Sequence, residues 1–373
     1  DAGDQEYRWS SFSNKQSINA ESVFHWAQQA GWINPARAVA IDVADDFDAE
    51  GEVSVWDHWV FVEYSNSFMN IRSGLEIGIQ AFNLKMSVHP CKVAVGGKVK
   101  EVKASEYAVR YKGCRTVYSP IYAPHAGMFF EYLEEWRVNS YSGRSVPSIN
   151  PNWRDSDAWR SVEAHFLQLF PTNAEGRMII QWMAHNVQNP GDKILWAPVV
   201  CGVQGDGKST IRNILGSAMG APHVKDISAD AVFSAFNGYA EGACVGALEE
   251  IRIKGHNRFE VMNKLKPLIT NPVIDVTRKG RDGIQVPNTT NYIAFSNHPD
   301  AIALDDDDRR WGVFFTRFDS REQMLVECPD EYWEVLHNAY RDNPEIIRGW
   351  LLDVNLAGFP VMKCPEMGDA KRR

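Results

Sequence analysis

The sequence predicts an α/β protein whose core is a parallel sheet, preceded by an α+β module and a pair of helices. From Ile194 onward, apolar strand patterns alternate with helical patterns, which is typical of a parallel sheet with crossover connections. A glycine-rich segment, residues 202–210, joins the first of these strands to a helix. The 373 residues are 44% hydrophobic, so the chain can bury sizeable cores and divide into two or three domains.

The first 150 residues have a less regular pattern. We expect a helix over residues 17–32 and a hairpin over residues 56–72. Residues 38–71 contain eight acidic residues and no Lys or Arg, which indicates a solvated linker or exposed loop. Residues 75–86 have helical spacing, and residues 132–150 are rich in turn signals.

The rest of the chain gives clearer patterns. Two helices are predicted before the core, at residues 155–169 and 174–187, with Asn173 capping the second. The elements expected from there are strand 194–201, helix 211–219, helix 229–236, strand 243–248, helix 258–269, hairpin 273–286, strand 292–295, strand 312–316 and a helical tail over 331–354 interrupted at Pro344. We divide the chain into a linker-end helix (1–33), an α+β module (34–152), a helical collar (153–192), the core (193–318) and a C-terminal helical tail (319–373).

Composition excludes several classes of protein. No run approaches the roughly 20 apolar residues of a membrane helix, and no signal peptide is visible. The six cysteines are scattered without C-x-x-C spacing, which argues against a structural metal and predicts a reducing, cytoplasmic compartment. A net charge of −9 is not typical of a protein that coats nucleic acid. Whether the chain binds nucleic acid therefore depends on the local distribution of its charge. The chain begins at Asp1, from which we expect a fragment or a processed product.

The segment Gly-Val-Gln-Gly-Asp-Gly-Lys-Ser-Thr matches G-x-x-x-x-G-K-[ST] at every fixed position, between a strand and a helix. In that context backbone N–H groups converge on phosphates at a helix N-terminus. We expect Lys208 to reach the outer phosphates and the Ser209 hydroxyl to bind Mg²⁺. The alternative is a glycine-rich surface turn without a ligand. The residues expected to form the cradle are Gly202, Gln204, Gly205, Asp206, Gly207, Lys208, Ser209 and Thr210.

Two acids follow the apolar strand 243–248. Hydrolysis of a nucleoside triphosphate needs a carboxylate near Mg²⁺ and a group that activates water. We assign Glu249 to the metal, through water, and Glu250 to the attacking water. The alternative is a pair of solvated acids at the start of a helix.

Further candidates follow the next strands. Asn297 is expected at the tip of strand 292–295, where it can contact the γ-phosphate or the water; alternatively it is a turn residue. Four aspartates precede Arg309 and Arg310, and one of these arginines is expected to reach the nucleotide of a neighbouring subunit. An exposed charged loop is the alternative, and the pattern does not decide between the two arginines.

Residues 252–282 hold eight basic residues against three acids. Several of the cations crowd the glycine-bearing turn of the predicted hairpin, which suits contact with a phosphate backbone. An ordinary solvated hairpin is the alternative. The residues expected to bind DNA are Lys266, Arg278, Lys279 and Arg281.

The order of these pieces resembles superfamily 3 helicases of viruses, phages and plasmids, and more closely the helicase part of phage primase-helicase or primase-polymerase proteins. The segments 179–190 and 22–32 are also similar to that group. The resemblance implies an AAA+-type P-loop core, ATP and Mg²⁺ bound between subunits of a ring, commonly a hexamer, and single-stranded DNA in its channel. It also implies an upstream primase or polymerase domain. Glu249 departs from the Asp that is common at its position.

Two rival interpretations remain open from the sequence. A small-molecule or nucleotide kinase would use the same glycine motif but would need neither an arginine from a neighbour nor a basic hairpin. An assembly or DNA-loading module would bind ATP only to hold a ring together; the presence of Glu250 and Asn297 argues against it.

Overall fold

The structure, a computed structural model, describes residues 54–249, 257–280, 282–297 and 309–364. The predicted helix 17–32, most of the acidic stretch, Glu250 and Arg281 lie outside these ranges. No helix in the described ranges is long and apolar enough to cross a membrane.

The N-terminal module is a set of small sheets with two short helices. Its elements are β1 (Trp59–Val62), β2 (Ser67–Asn70), β3 (Glu76–Gly78), α1 (Ile79–Lys85), β4 (Lys92–Val95), β5 (Lys98–Glu101), α2 (Ala104–Arg110), β6 (Arg115–Val117), β7 (Ser119–Ile121), β8 (Phe129–Tyr132) and β9 (Glu135–Asn139). A four-stranded sheet has the order β3-β2-β1-β6, a three-stranded sheet the order β7-β9-β8, and β4 and β5 form a separate two-stranded ribbon.

The core is built on a parallel sheet. Its elements and those around it are α3 (Asp157–Leu169), α4 (Asn173–Gln188), β10 (Ala197–Cys201), α5 (Thr210–Met219), β11 (Val224–Ile227), α6 (Ala229–Phe233), β12 (Val245–Leu248), α7 (Asn257–Thr270), β13 (Val273–Val276), β14 (Ile284–Pro287), β15 (Asn291–Ser296), β16 (Trp311–Phe315), α8 (Arg321–Glu327), α9 (Asp330–Arg341) and α10 (Pro344–Asp353). The strand order of the sheet is β11-β12-β15-β10-β16.

Both faces of the sheet are covered, which explains why its strands are apolar almost throughout. Val200 belongs to a buried cluster with residues of the collar helices α3 and α4, of α5 and of the C-terminal helices α9 and α10. Its neighbour Val199 belongs to a second cluster, formed with α6, α7 and the β13–β14 hairpin. The mixed α/β fold with a parallel sheet is therefore as the alternating patterns predict.

Three local predictions change, two of them because of tertiary strand pairing. The expected helix 75–86 begins as strand β3, because Glu76–Gly78 pairs with β2 and that pairing outweighs local helical spacing. The turn-rich stretch 132–150 contains strand β9, which lies between β7 and β8. Its tight turn is made by Leu133 and Glu134 at φ of 52° and 61°, a conformation usually signalled by Gly or Asn.

The cap of α4 is the third change. Thr172, not Asn173, is the N-cap, and its hydroxyl and the Glu175 carboxylate satisfy each other's backbone N–H in a capping box. Asn173 is instead the first residue of the helix.

The N-terminal module contacts the amino edge of the core sheet. Tyr122 Oη lies 2.7 Å from His223 Nδ1, and Ser145 Oγ lies 2.8 Å from its Nε2. His223 comes just before β11, and burial lowers the pKa of its imidazole. The β13–β14 hairpin also leads into the amino end of β15. The opposite, carboxyl edge therefore carries the loop that follows β10.

Candidate functional site

The glycine motif forms the loop between β10 and α5. Gly205 and Gly207 have φ of 88° and 86°, a conformation that glycine adopts without strain. A Cβ on Gly202 would lie 2.0 Å from both Asp206 Oδ2 and Thr316 Oγ1. A Cβ on Gly207 would lie 2.7 Å from His165 Cε1. Close packing, as well as backbone conformation, thus requires glycine in this loop.

Lys208 and Asp206 are held together beneath the loop. The Lys208 ammonium donates to Val203 O at 2.8 Å and to Asp206 Oδ1 at 3.1 Å. Thr316, just after β16, donates to Asp206 Oδ2 at 2.7 Å. Asp206 is fully buried, so its two oxygens are bound within the protein, and it orients Lys208 and the loop.

The predicted metal ligands come together at the start of α5. Ser209 Oγ donates to Glu249 Oε2 at 3.3 Å. Burial raises the pKa of Glu249, with Asp226 acting in the same direction, while the Ser209 hydrogen bond, Arg212 and Lys208 oppose it. Arg212 itself forms a bidentate pair with Asp226 at 2.6 and 2.7 Å. Hydroxyl and carboxylate oxygens are ligands that suit Mg²⁺.

A cleft of about 410 Å³ lies over these residues. It is bordered by the loop, by Glu249 at the end of β12 and by Asn297 at the end of β15. The ends of three parallel strands therefore bring together Lys208, Ser209, Glu249 and Asn297, as the sequence predicts.

The far wall of the cleft comes from the C-terminal tail. Trp333 and His337, one helical turn apart on α9, line the cleft beside the loop. Trp333 donates from Nε1 to Cys328 O at 3.1 Å, and its ring lies next to Gly207. The aromatic spacing 333 and 337 is visible in the sequence, but nothing local places α9 against the loop.

His165 of α3 supports the same wall. It is buried against Gly207, and its Nδ1 lies 2.7 Å from Tyr332 Oη. Burial lowers the pKa of His165 to about 4, so the ring is neutral near pH 7. The collar and the tail thus both contact the loop.

Arg309 and Arg310 lie at the other edge of the sheet. Ala197 N donates to Arg310 O at 2.8 Å, which places Arg310 beside the amino end of β10. A five-residue strand spans roughly 17 Å, so the length of the sheet separates these arginines from the loop of the same chain. The aspartates before them lie outside the described residues.

The basic hairpin is present but its cations differ in environment. Arg278 pairs with buried Glu241, whereas Lys279 is exposed at the turn. Asn237 binds the end of β13: its side-chain amide donates to Asp275 O and accepts from the Thr277 N–H, each at 2.7 Å. Lys266 is partly buried on α7. The hairpin is thus held along β13 close to its turn, and Lys279 at the turn is exposed.

In the described ranges, no three His, Cys, Asp or Glu side chains form a group that could hold a metal ion. The six cysteines are free thiols.

Comparisons with known proteins point in one direction. Residues 200–310 match a family described as "Family of unknown function (DUF5906)", and this stretch runs from just before Gly202 to Arg310. The chain is 27% identical over 181 residues to the DNA primase-polymerase of Nitratiruptor phage NrS-1, covering 48% of this chain and 25% of that protein. It therefore spans about a quarter of the length of that relative.

Solved structures give the same result at the level of the fold. The apo structure of the NrS-1 C-terminal region aligns with a TM-score of 0.56 at 21% identity, over 76% of this chain and 68% of that one. A second apo form of the same region aligns at 0.55, again with 21% identity, over 78% and 70%. The chain is thus similar in sequence to a phage primase-polymerase and in fold to the C-terminal region of NrS-1.

Proposed function

We propose that this chain is the ATP-driven motor of a phage replication protein, a helicase that moves on single-stranded DNA as a ring. The observation that carries the proposal is the meeting of Lys208, Ser209, Glu249 and Asn297 in one cleft at the carboxyl edge of the parallel sheet. Ligands of open α/β sheets bind at that edge, where strand order reverses. The strand order reverses at β10. The chain runs from β10 to the edge strand β11, and later strands flank β10 on both sides, β15 on one and β16 on the other.

The residues of the cleft have different roles in ATP hydrolysis. Backbone N–H groups of the loop and the Lys208 ammonium hold the phosphates, which replace its contact with Val203 O. Ser209 directly, and Glu249 through water, would hold Mg²⁺, which would supply positive charge next to the phosphoryl oxygens. Asn297 orients the attacking water and Glu250 activates it. Trp333 and His337 line the cleft and would offer aromatic rings to the base.

The position of Arg309 and Arg310 supports assembly into a ring. Neither reaches the loop of its own chain, so a role in hydrolysis requires a second copy. We expect Arg309→Ala or Arg310→Ala to abolish turnover only in the assembled state. Mixing either variant with Lys208→Ala should partly restore it, because a mixed interface can combine an intact loop with an intact arginine. Absence of complementation by both variants contradicts this arrangement.

The direct test measures ATP hydrolysis with and without single-stranded DNA while particle size is followed. A motor gives hydrolysis that DNA stimulates, in a ring-sized particle, and Lys208→Ala abolishes it. Arg177→Ala, an exposed change on α4, is the matched control and should leave hydrolysis unchanged. Hydrolysis by a monomer, at a rate that single-stranded DNA does not change, contradicts the proposal and favours a kinase. A ring that binds ATP without turnover favours an assembly module.

A further inference from the structure

The β4–β5 ribbon of the N-terminal module projects into solvent. Gly96 and Gly97 form its tip with φ of 57° and 77°, the positive values of a tight two-residue hairpin turn. A Cβ on either glycine would meet nothing within 4 Å. Val95 and Val99 beside the tip are 52% and 62% exposed. The outer half of the ribbon therefore has an open surface.

The root of the ribbon is firmly held. Val93 is fully buried, and it packs with Cys91, Trp56, Phe82 and other residues of the module's own core. The four cross-strand pairs run from Lys92 with Glu101 to Val95 with Lys98. A rigid base with an exposed tip presents its side chains in a defined geometry.

The charge of this region is opposite to that of the chain. Residues 79–115 hold eight Lys and Arg against two Glu, a surplus of six in a chain of net −9. The described structure shows no ion pair for five exposed lysines on or beside the ribbon, which are Lys85, Lys92, Lys98, Lys100 and Lys103. Ordinary surfaces intersperse both signs, so this concentration indicates an anionic partner.

A groove of about 1110 Å³ adjoins the foot of the ribbon. Lys103 lines it together with the amide side chains of Asn66, Gln80 and Asn83. Arg110 also borders it and pairs with Glu106 at 3.2 Å. Amides and cations of this kind contact phosphate and sugar oxygens.

We propose that the ribbon and this groove are a duplex DNA site, separate from the hairpin that we assign to single-stranded DNA. The lysines of the ribbon contact phosphates on both sides of the major groove of the DNA, and the tip with Val95 and Val99 enters that groove. A two-stranded ribbon matches the width of the major groove. A single strand would instead need exposed aromatic rings for stacking; of the two aromatic rings that line the groove, Phe68 is buried and Phe61 is only partly exposed.

The test is fluorescence anisotropy of the full chain, without nucleotide, on a duplex of about 20 base pairs, or two helical turns. Lys98→Ala/Lys100→Ala should weaken binding about tenfold and reduce the salt dependence by about two counterions. The charge-conserving variant Lys98→Arg/Lys100→Arg should bind the duplex as the parent does. The matched control is Arg177→Ala/Arg321→Ala, which removes the same charge from exposed sites elsewhere.

Single-stranded DNA binding and ATP hydrolysis should be unchanged in the ribbon variant, so failure of this proposal is distinguishable from failure of the motor. Equal duplex binding by parent and ribbon variant overturns the proposal. So does ribbon-dependent binding to vesicles containing anionic phospholipid with no binding to duplex. Thermal unfolding at the parental temperature shows that the variant is folded.

Discussion

Ser209 Oγ and Glu249 Oε2 lie 3.3 Å apart, although 40 positions separate the two residues in the chain. Three parallel strands produce this meeting. β15 lies between β10 and β12, and all three end at the same edge of the sheet. The register of the strands therefore places a hydroxyl from the start of α5 beside a carboxylate from the end of β12.

This pair leads to the first prediction. Ser209→Ala should lower Mg²⁺-dependent ATP hydrolysis by about tenfold or more, because the metal loses a protein oxygen. Ser209→Thr keeps a hydroxyl that the motif allows and should retain most of the activity. Hydrolysis is measured as a function of Mg²⁺ concentration. Equal rates for Ser209→Ala and Ser209→Thr would show that the hydroxyl does not bind the metal.

The second prediction concerns the packing of the loop. Gly207→Ala should destabilise the protein by roughly 1–3 kcal/mol, since φ is positive and the new methyl would lie 2.7 Å from His165 Cε1. Gly216→Ala in α5 is the matched control, because its Cβ meets nothing within 4 Å. That change should stabilise the helix by about 0.5–1 kcal/mol. Thermal unfolding of both variants checks the prediction, and a stable Gly207→Ala protein would contradict it.

The third prediction concerns His165 and pH. Burial lowers the pKa of His165 from 6.5 to about 4, while Tyr332 and His337 are its polar neighbours. Between those pH values the unfolded chain binds a proton that the folded protein does not. The contribution of His165 to the free energy of unfolding should therefore fall by up to about 3 kcal/mol as pH decreases through this window, and this contribution should change no further below it.

His165→Gln removes this titration and keeps an amide that can bond to Tyr332. Its stability should be lower than that of the parent near pH 7 but should depend less on pH between about 7 and 4. Urea unfolding across this range gives both curves. Curves that run parallel would show that His165 does not titrate as its burial implies.

The fourth prediction separates two neighbouring cations of the hairpin. Lys279→Ala should weaken single-stranded DNA binding, reduce its salt dependence by about one counterion and leave thermal stability and basal hydrolysis unchanged. Arg278→Ala should also lower stability, by roughly 1–3 kcal/mol, because it leaves the buried Glu241 carboxylate without its partner. If Lys279→Ala and Arg281→Ala both bind DNA as the parent does, the hairpin is not the DNA site.

The ribbon was not among the sequence predictions, although its signal is in the sequence. The surplus of basic residues over 79–115 was hidden by the acidic stretch before it and by the net charge of the whole chain. Within residues 79–115 alone, the surplus of six is evident. Only the structure, however, shows that Lys98 and Lys100 lie on a projecting ribbon with a free glycine tip.

The sequence by itself determined the loop, the polar residues that follow β12 and β15, and the parallel sheet. These features depend on contiguous residues, on strand and helix periods of a few positions, and on the rule that parallel strands end at one edge. Tertiary structure decided what surrounds the loop. Trp333 contacts the loop from a helix far along the chain, Glu241 forms an ion pair with Arg278, and Arg310 lies at the opposite edge of the sheet. Such contacts depend on which distant surfaces pack together, and no local pattern encodes that choice.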